Sequence, residues 1–221
     1  MVARASLATV TARSKSWLRT TGGFGAEDAD FSVKFILSAA RGFDGGSSSS
    51  KENVQKKEHR RFPGWRALSC SMLKRRACNE PLQYVLGEWR FYPLPVALKV
   101  RKPVLIPRPE TEQMVDMIIS QYLDKGNTNT PRRLLDVGCG SGAIVISLLH
   151  AFPTLTAVAI DPNAAAIELT RENAERNGVA DRLTLFHGTV KQYQQSFSEQ
   201  DKFDLLASNP PYVPSSEIQS L

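Results

Sequence analysis

The chain has 221 residues and a formal net charge of +6, and 42% of its residues are hydrophobic. This length allows one domain with a small appendage, and the hydrophobic fraction is sufficient for a real core. No apolar run approaches the length of a membrane-spanning helix, so we expect a soluble protein without membrane contact. Residues 1–80 carry net charge +8 and residues 81–221 carry −2. This uneven distribution argues against duplex nucleic acid as the ligand of the second part.

The first 25 residues are basic and rich in Ser, Thr and Ala. Arg4, Arg13, Lys15 and Arg19 all precede the first acidic residue, Glu27. This composition is typical of a mitochondrial transit peptide and predicts location in the matrix. A basic leader without a targeting role is the alternative.

Residues 26–80 predict a small helical region. Apolar residues at helical spacing indicate a helix over 26–41, with Asp30 as its N-cap. A Gly- and Ser-rich linker follows at 42–50, and a charged run at 51–61 reads as a solvated helix face. A second helix begins near Trp65 and runs to Arg76. The apolar residues assigned to the first helix are Phe31, Phe35, Ile36, Leu37 and Ala40.

The cysteines and histidines do not form a metal-binding pattern. The spacings of Cys70, Cys78 and Cys139 match neither a zinc site nor a redox pair, so we expect reduced thiols and no metal. The histidines at 59, 150 and 187 are far apart in sequence, and structural roles are expected for them.

Residues 81–106 alternate apolar and polar positions and predict a β-hairpin or two short strands. A helix is then predicted from Pro109, because proline suits the first helical turn and Glu110 and Glu112 complement its positive end. Its predicted buried stripe consists of Met114, Val115, Ile118, Ile119 and Tyr122.

The most regular unit of the chain begins with a strand at 134–137. A glycine turn at 138–142, a helix at 143–151 and a strand at 155–160 follow. The glycines let the backbone approach a ligand and present N–H groups at a helix start, and Asp161 is placed to hold two ribose hydroxyls. The spacing Gly-x-Gly-x-Gly and the acidic Asp136 favour S-adenosylmethionine over NAD. A carboxylate at that position would crowd a pyrophosphate but can bind an ammonium group.

The alternation of strands and helices continues after this unit. We predict a helix at 163–177 that ends at Gly178, a strand at 182–187 and a last strand that stops at Asn209. The pattern predicts a parallel sheet with helices on both faces. At the end of the last strand, the Asn209 side chain, the Pro210 carbonyl and the Tyr212 ring suit a planar NH2 group. Alone, such an Asn-Pro turn is more often an ordinary strand end.

Four motifs occur in an order that resembles one known family. They are residues 83–87 (QYVLG), 107–112 (PRPETE), 136–142 (DVGCGSG) and 209–212 (NPPY). The chain resembles the HemK-like glutamine N5-methyltransferases of peptide-chain release factors, and its basic leader is similar to that of a mitochondrial member. The resemblance covers residues 82–213. It implies an α/β fold, a class I S-adenosylmethionine-dependent methyltransferase with a Rossmann-like parallel sheet.

The resemblance also implies an organisation of the chain. We expect a transit peptide at 1–25, a helical substrate-docking region at 26–80, a hairpin linker at 81–106 and the methyltransferase domain at 107–221. The family's sheet has more strands than the chain accounts for before Leu221. We therefore expect a C-terminally truncated form whose last strand is an exposed edge, with low stability and little activity.

The implied activity is methylation of the glutamine amide in the Gly-Gly-Gln loop of a mitochondrial release factor, by a monomer with S-adenosylmethionine as cofactor. The residues implied for catalysis are Asn209, Pro210 and Tyr212. Those implied for substrate binding are Asn209, Pro210, Pro211 and Tyr212. Those implied for the cofactor are Asp136, Gly138, Cys139, Gly140, Ser141, Gly142, Asp161 and Asn209.

Two other functions stay open. An exocyclic NH2 of adenine fits the same pocket, which would make the chain a nucleic-acid methyltransferase, although no base-reading domain is recognisable. A non-catalytic product that binds a release factor, or nothing, is the third possibility. The family commonly carries an acidic residue after the third strand, where this chain has His187, Gly188 and Thr189.

Overall fold

The computed structural model describes residues 7–40, 64–123, 133–195 and 202–210. The predicted linker, the charged run, the loop at 127–131, His59, Pro211 and Tyr212 lie outside the described residues. No helix in the described part of the chain is both long and apolar enough to span a membrane. The chain divides into two compact units, Met1–Gly87 and Glu88–Leu221.

The first unit is helical. Its helices are α1 (Leu7–Gly22), α2 (Ala26–Ala39), α3 (Trp65–Ala77) and α4 (Leu82–Leu86). Their apolar core contains Leu18, Val33, Ile36, Met72 and Leu73.

Polar contacts of Arg76 join α2 and α3 in this unit. The Arg76 guanidinium donates to Ser32 Oγ at 3.1 Å and to Asp28 Oδ2 at 2.8 Å. It also lies over the Phe24 ring, 3.9 Å from the ring centre. One side chain therefore connects both helices to the segment that separates α1 from α2.

One prediction for the first helical region was wrong. The N-cap of α2 is Gly25, and Asp30 lies inside the helix, where hydrogen bonds from Lys15 and then Arg19 lower its pKa. Phe31 and Phe35 do not enter the core: they are 47% and 37% exposed. Their rings contact each other with centres 4.5 Å apart. The side of α2 that carries Val33 and Ile36 packs on α1 and α3 instead.

The segment 82–86 is helical rather than extended, because α4 precedes the hairpin. The predicted hairpin is present, but each of its strands has only two residues: β1 (Glu88–Trp89) pairs antiparallel with β2 (Leu98–Lys99). The division between the two units falls at Gly87, which adopts φ +79° and ends α4.

The second unit is built on a parallel sheet. Its further elements are α5 (Pro109–Leu123), β3 (Arg133–Val137), α6 (Ala143–Ala151), β4 (Thr156–Asp161), α7 (Ala164–Arg176), a 3-10 turn (Ala180–Arg182), β5 (Leu183–His187), α8 (Val190–Gln194) and β6 (Leu205–Ser208). Within the described residues the sheet has the order β5-β4-β3-β6. The predicted α/β fold with a parallel sheet and N-terminal helices is confirmed.

Both faces of the sheet are covered, because neighbouring side chains of a strand point to opposite sides. Leu134 of β3 belongs to the larger core with α5, α6 and Ile167 of α7. Leu135 points to the other face and packs with Val158, Ile160 and Tyr193 of α8. In the described residues β6 pairs with β3 alone, and its Leu206 is 64% exposed.

Candidate functional site

The strand register places three predicted site residues in one row at the carboxyl edge of the sheet. Val137 of β3 pairs with Ser208 of β6 and with Ile160 of β4. Asn209, Gly138 and Asp161 each follow one of these paired residues. Neighbouring strands lie about 4.8 Å apart, so the backbones of Asn209 and Asp161 flank Gly138 across about 10 Å.

The row lies at the point where the strand order reverses. The chain proceeds from β3 outward to β4 and β5, then returns to place β6 on the other side of β3. Open α/β sheets bind ligands in the crevice at the carboxyl ends of the strands at such a reversal. The glycine turn and Asn209 flank this crevice from its two sides.

The glycine turn is held by hydrogen bonds within the protein. Gly138 N and Cys139 N donate to Ile160 O at 2.8 and 3.1 Å, and Gly142 N donates to Cys139 O at 2.8 Å. Gly140 N donates to Asp161 Oδ2 at 3.0 Å. The expectation that this turn presents its N–H groups to a ligand is therefore wrong for these four residues. The turn instead allows a ligand to come close to its backbone, because glycine has no side chain.

Among the three glycines of this turn, Gly138 has open space beside it. It is exposed and adopts φ +76°, and an added Cβ would meet nothing within 4 Å. At Gly142 an added Cβ would lie 2.7 Å from Ile146 Cδ1 and 2.9 Å from Thr170 Cγ2. Gly138 therefore leaves room for a ligand, whereas Gly142 allows the packing of α6 on α7.

Asp161 closes the turn from the neighbouring strand. Its Oδ2 accepts from Gly140 N, and its Oδ1 accepts from Asn163 N at 2.8 Å. The side chain of Asn163 caps α7 by accepting from Ala165 N at 2.9 Å. The carboxylate at the end of β4 is therefore held in one orientation beside the glycine turn.

Asp136 is a fully buried carboxyl group. Among the described residues, neither of its oxygens has a hydrogen-bond partner. Burial raises its pKa to about 7, and the charge of Asp161 adds to this rise. The backbone N–H of Val145 in the first turn of α6 acts in the opposite direction, although it does not reach hydrogen-bond geometry. An unpaired buried carboxyl group is costly and requires an explanation.

Thr170 and Asn173 on α7 form hydrogen bonds to backbone carbonyls of the glycine turn. Thr170 Oγ1 donates to Gly140 O at 3.1 Å. Asn173 is fully buried; its Nδ2 donates to Ser141 O at 2.9 Å and to Lys99 O at 3.0 Å, and its Oδ1 accepts from Lys99 N at 2.7 Å. Asn173 therefore ties the hairpin to the glycine turn.

Cys139 is not a reactive thiol. Its side chain is buried, and burial raises its pKa to about 12. Since only the thiolate is an effective nucleophile, Cys139 stays unreactive near neutral pH. Any contact it makes with a ligand comes through its position in the turn.

Asn209 is held by a residue from the start of α5. Its Nδ2 donates to Thr111 Oγ1 at 3.1 Å, and Thr111 is 6% exposed. The preceding residue is fixed as well, because Ser208 Oγ donates to Val137 O at 2.9 Å. Pro210 follows at the surface.

At the other end of the row, the segment after β5 is well ordered by its own contacts. His187 Nε2 lies 3.0 Å from Pro162 O, and since a carbonyl only accepts, Nε2 carries the hydrogen in this contact. Thr189 forms a reciprocal cap with Gln192 at the start of α8. His187 is therefore in a structural role, as expected.

Comparison with known proteins connects these features to one family. The family described as "Methyltransferase small domain" matches residues 112–220. A human protein named MTRF1L release factor glutamine methyltransferase is 40% identical over 152 residues, which are 66% of this chain and 44% of that protein. A release factor glutamine methyltransferase of Bradyrhizobium diazoefficiens is 34% identical over 197 residues, covering 88% of this chain and 61% of that protein.

The chain is similar over most of its length to release factor glutamine methyltransferases. It spans about half the length of the curated relatives that it matches. Among solved structures, the N-terminal domain of human METTL16 in complex with SAH matches at 18% identity with a TM-score of 0.44, over 54% of this chain and 48% of that one.

The sequence analysis assigned no role to three residues of the site, namely Thr111, Thr170 and Asn173. Thr111 lies in the motif at 107–112, where the pattern predicted roles for Pro109, Glu110 and Glu112 only. Thr170 and Asn173 belong to the buried stripe of α7, and a polar residue on an otherwise apolar stripe is the signal that identifies them.

Proposed function

We propose that this chain uses S-adenosylmethionine to methylate the glutamine side-chain amide in the Gly-Gly-Gln loop of a mitochondrial peptide-chain release factor. The observation that carries the proposal is the row of Asn209, Gly138 and Asp161 at the strand reversal, with Asn209 fixed by Thr111. The names of the relatives supply the substrate class.

Two features of the site fit the cofactor. Asp136 is a buried carboxyl group whose oxygens have no hydrogen-bond partner in the described part of the chain, and an ammonium group could satisfy them directly or through water. Gly138 has open space where a Cβ would otherwise stand. Asp161 faces the same turn and can hold ribose hydroxyls after its own contacts with the backbone shift. Cys139, Gly140, Ser141 and Gly142 complete the wall of the site.

On the other side of the row, Asn209 and Pro210 would bind the glutamine amide. Asn209 Oδ1 and the Pro210 carbonyl each accept one of the two amide hydrogens. Pro211 and Tyr212 are proposed to complete this pocket, with the Tyr212 ring packed on the face of the amide. An amide nitrogen is a poor nucleophile because its lone pair is delocalised. Two fixed acceptors orient it and increase electron density on nitrogen.

When bound, the cofactor supplies a methyl group on a positively charged sulfur, whose C–S bond breaks as the new N–C bond forms. The protein's part is to hold the amide in line with that methyl group. The nitrogen then releases one proton to water, so the site needs no buried base. Positioning and electrostatics therefore supply most of the rate enhancement.

The mitochondrial part of the proposal depends on the leader. Residues 1–25 are proposed to be the transit peptide and residues 26–80 the substrate-docking region, in a protein that acts as a monomer in the matrix. The support is the absence of acidic residues before Glu27 and the basic residues of α1.

The test is transfer of labelled methyl groups from S-adenosylmethionine to a mitochondrial release factor. We expect label on the wild-type release factor and none when its Gly-Gly-Gln glutamine is replaced by alanine. We also expect Asn209→Ala to lower the rate at least about a hundredfold, because an acceptor that orients the amide is lost.

Two other outcomes would contradict the proposal. Label on adenine-containing nucleic acid instead of the release factor would identify a nucleic-acid methyltransferase. Absence of transfer together with absence of cofactor binding by calorimetry would identify a non-catalytic product. Asn177→Ala, which removes an asparagine side chain at the C-terminal end of α7, is the matched control.

A further inference from the structure

Within the proposed function, we infer that Thr111 is a positioning residue that fixes the orientation of the Asn209 amide. It does so by accepting the hydrogen bond from Asn209 Nδ2, which turns Asn209 Oδ1 into the acceptor for the substrate amide.

Thr111 is well placed to hold another side chain. It lies in the first turn of α5, is 6% exposed, and donates its backbone N–H to Arg108 O at 3.0 Å. Its Oγ1 is 3.1 Å from Asn209 Nδ2, although the two residues are 98 positions apart in the sequence. A threonine in a helix commonly donates its hydroxyl hydrogen to a carbonyl of the preceding turn, which leaves the oxygen lone pairs as acceptors.

The orientation of the Asn209 amide decides what the site can bind. The two ends of an asparagine amide are nearly equal in shape but opposite in hydrogen bonding, and rotation about the last side-chain bond exchanges them. With Nδ2 turned to the substrate, two donors would face the NH2 group of glutamine. With Nδ2 held by Thr111, the acceptor faces that group. A buried hydrogen-bond acceptor at position 111 therefore selects the productive orientation.

The substitution that tests this inference is Thr111→Val, which keeps the shape of the side chain and removes the acceptor. We expect it to lower kcat/KM for the release factor about tenfold at saturating cofactor, the effect of one neutral hydrogen bond or somewhat more. Thr111→Ser restores the hydroxyl and should retain the wild-type rate within about twofold. Thr184→Val makes the same chemical change at an exposed position on β5 and should leave the rate unchanged.

A second measurement does not depend on activity. The side-chain 15N–H2 signals of Asn209, assigned by NMR, should move in Thr111→Val and stay in place in Thr111→Ser. A wild-type rate in Thr111→Val, or equal losses in the Val and Ser variants, would overturn the inference. If the wild-type protein transfers no methyl group, the proposed function fails. The NMR comparison then decides the inference separately: unmoved Asn209 signals in Thr111→Val overturn it, and signals that move only in that variant support it.

Discussion

Gly138 and Gly142 both adopt positive φ, of +76° and +80°, but only Gly142 is enclosed by side chains. We predict that Gly142→Ala lowers the free energy of unfolding by about 2 to 4 kcal/mol, because backbone strain and overlap with Ile146 and Thr170 add. Gly138→Ala should cost only about 1 kcal/mol, from the backbone alone.

The same pair of variants separates stability from binding. Gly138→Ala should still weaken binding of S-adenosylmethionine, because its methyl group occupies the space beside the turn. Thermal unfolding and calorimetric titration measure the two quantities. Equal stability of the two variants, or unchanged cofactor affinity in Gly138→Ala, would contradict this division of roles.

Asp136 makes the stability of the second unit depend on pH. Its pKa is raised from 3.8 to about 7 on folding, so the folded state binds the proton more tightly than the unfolded chain. Stability should therefore fall as the pH rises from about 4 to about 7, by on the order of 4 kcal/mol in total. Below pH 4 both states are protonated, and above pH 7 the loss is complete.

Asp136→Asn removes this titration. We predict that the variant is more stable than the wild type at pH 7, that its stability varies less between pH 4 and pH 7, and that it binds S-adenosylmethionine more weakly. Urea unfolding at a series of pH values, with calorimetry at pH 7, measures these effects. A variant that loses stability at pH 7 would mean that the carboxylate is stabilised by contacts that the asparagine cannot make.

At the scale of elements, α1 packs into the core of the first unit. Leu18 is fully buried there, whereas the adjacent Trp17 is 38% exposed. We predict that Leu18→Ala lowers the free energy of unfolding of this unit by about 2 to 5 kcal/mol. Trp17→Ala should cost less than about 1 kcal/mol, because an exposed side chain loses little on truncation.

Circular dichroism during thermal unfolding of the full chain measures both variants. Equal effects of the two substitutions would show that α1 does not pack as described. The outcome also bears on the leader. If Leu18 contributes this much, removal of residues 1–25 after import would leave a first unit without the side chain that fills its core.

The attachment of the hairpin to the sheet is a second element-scale feature. Asn173 reaches from α7 to both backbone polar groups of Lys99, while Glu172 pairs with Arg101 and Lys99. Arg101, and then Lys99, lower the pKa of Glu172 to about 2. Two neighbouring residues of one helix therefore fix β2 and the residues after it, Asn173 through a buried amide and Glu172 through two surface ion pairs. The buried contact is the stronger of the two, since exposed ion pairs contribute little.

At the scale of the whole molecule, the charge distribution along the chain predicts the cellular location of the protein. The leader carries Arg13, Lys15 and Arg19 on α1 and no acidic residue before Glu27. We predict that residues 1–25 direct a fused fluorescent protein to mitochondria, and that replacing these three basic residues by glutamine abolishes this targeting. Fluorescence microscopy with a matrix marker is the measurement, and a fusion that stays in the cytosol would refute it.

The regular βα units could be predicted from the sequence with small errors. The helix predicted at 143–151 agrees with α6, and the strand predicted at 155–160 is β4, which the structure places at Thr156–Asp161. Asn163 and Gly178 mark the two ends of α7 as expected. These predictions depend on local chemistry: apolar periodicity, a capping side chain and a glycine at positive φ. The error at Asp30 came from a good capping residue that pairs with Lys15 and Arg19 instead.

The sequence by itself determined which elements form and which residues end each strand at the carboxyl edge, because these properties depend on neighbours in the chain. Tertiary structure alone decided that Phe31 and Phe35 stay at the surface and that the hydrogen bonds of the glycine turn are used internally. It also decided that Asp136 is buried with no hydrogen-bond partner among the described residues, and that Asn209 contacts Thr111. Each of these depends on groups far apart in sequence, whose distances are set only when the sheet and helices pack.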